Sequence, residues 1–325
     1  MRIDVHTHLF FADFIQHLQG RNSLPNTVIE GGKIITCMPN FRHVAPAKSL
    51  DLEEKLREEE VMGIDFSVLS HGLPGPELLG GPEADDWAAR INDYLASVVE
   101  KYPGRFVAWG SIGFGSPERS IAEVERCIKQ LGFKGIQVFS NIKQKVLDSP
   151  EFMPVYQHVA KLGVPMNMHP TAPLNIVGMD KSPLVPGMGF IYDTSLAAAR
   201  LIRSGLFDEA PDLKLIVPHV GGILPYLGGR IAKTIDASPP APGQTRLAHP
   251  MSHYLDKLYV DTVAHSIEAL EFCYRQVGAE RILYGTDHPF ANYLEAATYV
   301  EQLHCTAAER ELIYHGNAER LLGLT

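Results

Sequence analysis

Short runs of apolar and β-branched residues recur along the chain, and longer amphipathic stretches separate most of them. A strand-like run that alternates with a helical stretch is typical of βα units in a parallel sheet. Eight such units favour a closed (β/α)8 TIM barrel over an open doubly wound sheet, and no glycine fingerprint follows the first run. The eight predicted strands are Arg2–His8, Asp65–His71, Arg105–Gly113, Phe133–Ser140, Pro165–Pro170, Leu213–Val220, Lys257–Val263 and Arg281–His288.

The amphipathic stretches carry helix signals. A proline in the first turn of a helix is well tolerated, and a serine or aspartate just before it caps the free amide groups. On these signals the predicted helices include Leu50–Val61, Pro82–Lys101 and Pro117–Leu131, and Thr306–Leu322 is predicted to hold two short helices.

Two segments interrupt the alternation. Residues 9–49 are too long for a simple βα connection, and Val28–Met38 predicts a hairpin that turns at Glu30–Gly31–Gly32. Thr171–Phe190, rich in Pro, Gly and Met, follows the fifth strand and predicts a lid or a wall of a binding site. We therefore expect a single barrel domain over residues 1–325, with residues 9–49 as a small inserted subdomain after the first strand.

Composition excludes several classes of protein. Hydrophobic residues make up 45% of the chain and charged residues 21%, as in globular domains, and no apolar run reaches the roughly 18 residues of a spanning helix. The net charge of −9 disfavours nucleic acids and anionic membranes as partners. The four cysteines lie far apart with no CxxC pair, which indicates reduced thiols. The first residues show no signal-like apolar stretch, so we expect a cytoplasmic protein.

Histidines and one aspartate fall at the ends of the predicted strands. His6 and His8 end the first strand, and side chains two residues apart on a strand point the same way. His169, His219 and Asp287 close strands five, six and eight, at the carboxyl face where barrel enzymes place their sites. Imidazoles and a carboxylate suit one divalent ion with a free position for water or substrate. We expect Zn²⁺ first, with Mn²⁺ as the other candidate.

Five motifs carry a family resemblance: DVHTH at residues 4–8, NMHP at 167–170, VPHVGG at 217–222, YGTDHPF at 284–290 and NAERLLGL at 317–324. In this order they resemble the amidohydrolase superfamily, and within it the branch of aminocarboxymuconate-semialdehyde decarboxylase and the hydroxybenzoate decarboxylases. The resemblance covers nearly the whole chain. It implies that His6, His8, His169 and Asp287 hold the metal, and that His219 stands beside it as an acid or base or as the group that orients water.

The fourth strand indicates how many ions are bound. Binuclear members of the superfamily bridge two metals with a carboxylated lysine at the end of this strand. Here that end reads Gln137-Val138-Phe139-Ser140-Asn141, and Lys134 lies at the opposite end. The resemblance therefore implies a mononuclear site.

Two arginines are candidates for binding a substrate carboxylate, which a planar guanidinium grips with two hydrogen bonds. Arg42 lies in the insertion, in a segment where the resembled decarboxylase holds its substrate. Arg230 follows the His219 motif, and its counterpart in the family reaches into the site of a neighbouring subunit. The alternative is that both are surface residues. The role of Arg230 implies a homodimer or a larger homo-oligomer.

The predicted function is a metal-dependent, non-oxidative decarboxylase, a carbon–carbon lyase, with His219 and Asp287 as catalytic residues. Its substrate would be an aromatic or enol-type carboxylic acid such as a hydroxybenzoate or aminocarboxymuconate semialdehyde. The second interpretation is a mononuclear hydrolase of a lactone or amide from the same superfamily, and a hydratase is the third. A non-catalytic metal-binding barrel is the interpretation from another class.

Other residues near the strand ends have weaker signals. His71, His265 and Phe290 are candidates to line the pocket, whereas His288 is interpreted as a packed neighbour of Asp287. The remaining histidines, among them His43, are interpreted as structural or solvated.

Overall fold

The computed structural model describes residues 1–179, 183–240, 246–290 and 293–324. Its strands are β1 Ile3–His8, β2 Asn26–Glu30, β3 Lys33–Cys37, β4 Arg42–Pro46, β5 Phe66–Ser70, β6 Phe106–Gly110, β7 Gly135–Phe139, β8 Asn141–Ile142, β9 Lys145–Val146, β10 Met166–His169, β11 Leu215–Val217, β12 Tyr259–Asp261 and β13 Ile282–Leu283. Eight of them form one sheet in the order β1–β5–β6–β7–β10–β11–β12–β13, and every pairing is parallel. Each of the eight lies within one of the predicted runs.

The segment that follows β13 returns to β1 and closes the sheet. The amide of Val5 donates to Tyr284 O at 2.9 Å, and that of His8 donates to His288 O at 2.8 Å. Thr7 and His288 form a parallel bridge. These bonds join the last unit to the first, so the predicted (β/α)8 barrel is confirmed.

Helices alternate with the barrel strands. Their bounds are α1 Ala12–Gln19, α2 Leu52–Met62, α3 Gly81–Lys101, α4 Pro117–Lys129, α5 Met153–Lys161, α6 Phe190–Arg203, α7 Leu206–Glu209, α8 Pro218–Gly221, α9 Leu224–Ala237, α10 Met251–Leu255, α11 Ile267–Val277, α12 Tyr293–Ala296, α13 Tyr299–Gln302, α14 Ala307–Glu311 and α15 Asn317–Leu322. Capping explains where α2 begins and ends: Asp51 accepts from the amide of Glu54 at 2.9 Å, and Gly63 stops the helix with a φ of +67°.

The two strands that were predicted to end in His219 and in the Asp287 motif stop before those residues. The sixth ends at Val217 because Pro218 has no amide hydrogen to continue the ladder, and His219 then takes a positive φ of 55°. The eighth ends at Leu283, and Asp287 lies four residues beyond it with a φ of 60°. His219 therefore lies in the short, distorted turn α8 and Asp287 lies in a tight loop, and the expectation that they close the strands themselves was wrong.

The insertion between β1 and α2 contains α1 and an antiparallel sheet in the order β2–β3–β4. The predicted hairpin is present: Glu30 pairs with Lys33 across Gly31 and Gly32, which have φ values of 55° and 73°. The sequence did not predict β4, whose residue Arg42 pairs with Cys37.

The hydrophobic core lies between the strands and the surrounding helices. Buried residues such as Ile136 and Met168 on the strands pack in one cluster with Val155 of α5 and Leu201 of α6. Among the helices that the structure describes, none has the length and apolar composition needed to cross a bilayer.

Candidate active site

Four side chains converge where the barrel strands end at their carboxyl face. His6 and His8 lie on β1, His169 is the last residue of β10, and Asp287 lies in the loop after β13. The amide of Asp287 donates to His6 O at 2.8 Å, so the closure of the barrel fixes this loop against β1.

The distances between these groups are short enough for all four to share one ion. Their ligand atoms lie within 4.8 Å of one another, and all four residues are buried. The ring centroids of His8 and His169 are 4.7 Å apart, and those of His6 and His8 are 5.2 Å apart. Asp287 Oδ1 lies 3.3 Å from His6 Nε2 and 3.2 Å from His8 Nε2.

His219 lies beside this cluster. Its ring centroid is 5.3 Å from that of His6, and its Nε2 is 3.7 Å from Asp287 Oδ2. Its Nδ1 is buried, with no hydrogen-bond partner among the residues that the structure describes. Burial raises the pKa of the Asp287 carboxyl, but His219 and His6 outweigh it and hold that pKa well below its usual range. Asp287 is therefore a carboxylate in contact with several imidazoles.

Each of the three clustered histidines has its other ring nitrogen engaged. His6 Nδ1 lies 2.6 Å from Oδ2 of Asp261, and His8 Nδ1 lies 2.8 Å from Oγ of Ser70. His169 Nδ1 lies 2.7 Å from the carbonyl oxygen of the next residue, Pro170. Such outer contacts set the ring orientation and leave Nε2 to face the cluster.

Asp261 and Ser70 were not predicted from the sequence to be functional residues. Asp261 is the last residue of β12, so its place at the end of the seventh predicted strand was the available signal.

The carboxylates of Asp261 and Asp287 stabilise positive charge at His6. Burial lowers the pKa of His6, but Asp261 and Asp287 outweigh it and raise that pKa to about 10. Burial lowers the pKa of His8 to about 4 and that of His169 well below its usual value, so both rings are neutral at pH 7.

The donors fit a divalent metal ion. His6 Nε2 is buried and makes no hydrogen bond within the described part of the chain, although it faces the cluster. An imidazole nitrogen in this position beside a carboxylate is suited to Zn²⁺ and related borderline cations.

A cavity of about 810 Å³ opens above the cluster. One wall comes from the insertion and includes Phe41 and Arg42, and the other comes from the long segment after β10 and includes Val185 and Phe190. His169, His219, His265, Asp287 and Phe290 also line it. The predicted wall formed by residues 171–190 is thus present, and residues 180–182 of it lie outside the described part.

The two arginines differ in position. Arg42 is exposed and lines the cavity, whereas Arg230 is exposed on α9 and is not among the described residues that line it within one chain. His71 is buried, with Nδ1 3.0 Å from Gly72 O, and its ring stacks on Phe10 outside the cavity lining.

His288 is held by packing and polar contacts away from the cavity. Its Nε2 lies 2.7 Å from Glu58, and its Nδ1 lies 3.3 Å from Nζ of Lys55. This agrees with the interpretation of His288 as a packed neighbour of Asp287. His43, predicted to be structural or solvated, is buried and also lines the cavity, which was not predicted.

Comparison with known proteins decides the family. The amidohydrolase family model matches residues 3–324. The chain belongs to the amidohydrolase family. The resemblance inferred from the motifs is therefore confirmed.

Several relatives within the family are named decarboxylases. The chain is 31% identical to 2-amino-3-carboxymuconate-6-semialdehyde decarboxylase of Dictyostelium discoideum over 338 residues, which covers 100% of this chain and 92% of the relative. It is 32% identical to gamma-resorcylate decarboxylase of Polaromonas sp. JS666 over 294 residues, covering 86% and 89% of the two chains.

A solved structure extends the comparison to a bound metal. Dihydroxybenzoic acid decarboxylase from Polaromonas sp. JS666, with manganese and the inhibitor 2-nitroresorcinol, superposes with a TM-score of 0.85 at 29% identity. The match covers 99% of this chain and 97% of that one.

Proposed function

We propose that this amidohydrolase-family chain is a metal-dependent, non-oxidative decarboxylase of an aromatic or enol-type carboxylic acid, such as a hydroxybenzoate or aminocarboxymuconate semialdehyde. The observation that carries the proposal is one cluster of His6, His8, His169 and Asp287 at the floor of a cavity large enough for a ring. The names of the relatives described above support the same class of reaction.

The four clustered residues would hold one divalent ion, with Zn²⁺ and Mn²⁺ as the candidates. Manganese in the Polaromonas structure supports a divalent ion, and three imidazoles with a carboxylate accept either metal. When bound, such an ion supplies an electrophile that stabilises negative charge on the oxygens of the acid.

The chain's own residues must manage a proton. Loss of CO₂ leaves an electron pair on carbon, and a proton must arrive there before or during cleavage of the carbon–carbon bond. His219 Nε2 and Asp287 Oδ2 lie 3.7 Å apart, and both residues line the cavity, so both groups can reach a substrate bound there. We assign His219 and Asp287 as the groups that deliver it, with Asp287 also serving as a ligand.

Positive charge at the rim would orient the substrate. Arg42 lines the cavity and makes no ion pair within the described residues, so its guanidinium is free to bind a carboxylate. Arg230 is exposed on α9, as a residue that reaches a neighbouring subunit must be. We therefore propose that Arg230 completes the site of a partner in a homodimer or larger homo-oligomer. Sedimentation of the active enzyme tests this, and a strictly monomeric active species would contradict it.

The decisive experiment combines metal analysis with product detection. The purified chain is loaded with Zn²⁺ or Mn²⁺ and incubated with hydroxybenzoates and, separately, with lactones. We expect release of CO₂ from at least one aromatic acid. Acid release from a lactone without CO₂ from any acid would replace the lyase with a hydrolase. His219→Asn should keep the ion but lose most turnover, because it removes proton transfer and leaves the four ligands in place.

We also propose that the protein is cytoplasmic, and fractionation of the source cells tests this.

A further inference from the structure

His43 occupies a position that the proposed proton transfer and metal binding do not use. It lies on β4 of the inserted sheet, where His43 and Ala45 are buried and the alternate residues Arg42 and Val44 are exposed. This alternation follows from the two-residue period of a strand. The buried face of β4 meets the barrel mouth, since the ring of His43 lies 5.6 Å from that of Phe290. His43 also lines the same cavity as His219 and Asp287.

The ring nitrogens of His43 have no protein partner in the described parts of the chain. Nδ1 is buried and unpaired. Nε2 makes no hydrogen bond within the described residues and is not one of their buried unpaired atoms, so it is accessible from the cavity that His43 lines. A group that enters the cavity can therefore pair with Nε2, whereas Nδ1 is closed off from it.

The surroundings of His43 restrict the chemistry of that group. Burial lowers the pKa of His43 to about 4. The ring is therefore neutral at pH 7 and offers one donor and one acceptor. A carboxylate only accepts hydrogen bonds and is better matched by Arg42, whereas a hydroxyl can both donate and accept.

The remaining walls favour a flat apolar body for the ligand. Phe41, Phe190 and Phe290 line the cavity, and the rings of Phe41 and Phe190 meet edge to face at 5.5 Å. Such surfaces pack on an aromatic ring. A ring bound between them can direct a polar substituent at the imidazole of His43.

We propose that His43 is a specificity-determining residue that exchanges a hydrogen bond, through Nε2, with a ring hydroxyl of an aromatic acid. The inference rests on the proposed function for the kind of ligand. It narrows the substrate class to ring-hydroxylated acids whose hydroxyl lies away from the ion cluster.

Binding of unreactive phenols tests the proposal without turnover. The probes are 2-nitrophenol and its derivatives that carry one further hydroxyl at each ring position in turn, 2-nitroresorcinol among them. Dissociation constants are measured by calorimetry on the metal-loaded enzyme. For each probe, the gain from the extra hydroxyl is the ratio of its affinity to that of 2-nitrophenol. We expect one ring position to give a gain of about fivefold to tenfold, the size of one net hydrogen bond.

The matched variants are His43→Leu and His43→Gln. Leucine removes both nitrogens and should reduce the gain at that position to about one, while leaving the affinity for 2-nitrophenol nearly unchanged. Glutamine places an amide near Nε2 and should restore part of the gain. A purely structural role would change the affinity for all probes alike and would not be rescued in this position-specific way. Metal content and circular dichroism confirm that each variant is folded and loaded.

Two results would overturn the inference: no ring hydroxyl raises the affinity of the native enzyme, or the gain survives unchanged in His43→Leu. Failure of the proposed function gives a different result. An enzyme that shows the His43-dependent gain but releases no CO₂ from any acid supports the role of His43 and refutes the decarboxylase.

Discussion

Replacing Asp261 by asparagine removes a negative charge from directly behind His6 and changes almost no volume. Asp261 Oδ2 lies 2.6 Å from His6 Nδ1, and both side chains are at most 2% exposed. The other oxygen, Oδ1, accepts from the amides of Val220 at 3.2 Å and Val263 at 3.1 Å. The carboxylate thus keeps a proton on Nδ1, so Nε2 is the nitrogen that a cation binds after displacing the proton there.

An asparagine cannot accept hydrogen bonds both from His6 and from the two backbone amides. If its NH₂ group faces His6, that group donates to Nδ1 and the ring proton moves to Nε2, where it blocks the metal. If its oxygen faces His6, the NH₂ group meets the two backbone amides, and buried donors are left unpaired. Loss of such an outer partner typically lowers metal affinity by about 10- to 100-fold, or about 1.4–2.8 kcal/mol.

Competition with a chromophoric chelator at fixed pH measures this loss, and thermal unfolding of the metal-free variant separates it from a change in stability. Asp256→Asn, at an exposed position, is the matched control and should bind metal like the native chain. Asp261→Asn also lowers the pKa of His6. Protons then compete less with the metal for His6, which by itself favours metal binding. A folded Asp261→Asn protein with native or higher metal affinity would refute the role of Asp261 in orienting His6.

Three further changes are expected to have measurable effects. Lys55→Met removes a buried ammonium that lies 3.0 Å from Glu59 Oε1. Because the buried charge of Glu59 then loses its nearest cation, the free energy of unfolding in urea titrations should fall by about 3 kcal/mol. A smaller change than 1 kcal/mol would contradict this. Burial raises the pKa of Glu77 to about 8. Between about pH 5 and 8 the folded chain therefore keeps a proton that the unfolded chain, with a pKa of about 4.5, has lost. The free energy of unfolding should fall as the pH rises through this range. Glu77→Gln should flatten this slope and stabilise the protein by on the order of 3 kcal/mol at pH 8, and parallel pH profiles for the two proteins would show that Glu77 is not protonated. Arg42→Ala should raise KM for the acid about tenfold with little change in kcat, and an unchanged KM would place Arg42 outside the binding site.

Local sequence patterns were sufficient for the barrel and for most of the metal cluster. The apolar, β-branched composition of each short run and the number of runs predicted the eight barrel strands. A parallel strand that is buried on both faces requires such a continuous apolar run. The pair His6 and His8 also followed from the chain alone, since residues two apart on a strand share a face. Its place at a strand end put His169 at the carboxyl face, and the family resemblance then implied that His169, and not His219, is a ligand.

Other features depended on contacts between distant parts of the chain. The sixth and eighth strands stop before His219 and Asp287, and positive φ angles in the following loops direct these two residues to the cluster. No local period encodes such turns. Asp261 looked like one more residue of an apolar strand until the closed barrel placed it 2.6 Å from His6.

The insertion shows the same distinction. Its hairpin was predictable from the Glu30–Gly31–Gly32 turn, but the sequence did not indicate that β4 would pair with β3 and place its buried face at the barrel mouth. That docking decides that His43 is buried and that Arg42 is exposed at the rim. The chain therefore determined the barrel and the residue types of the site by itself. The tertiary structure decided which side chains meet, because that depends on ring closure and on the packing of the insertion, which link residues more than two hundred positions apart.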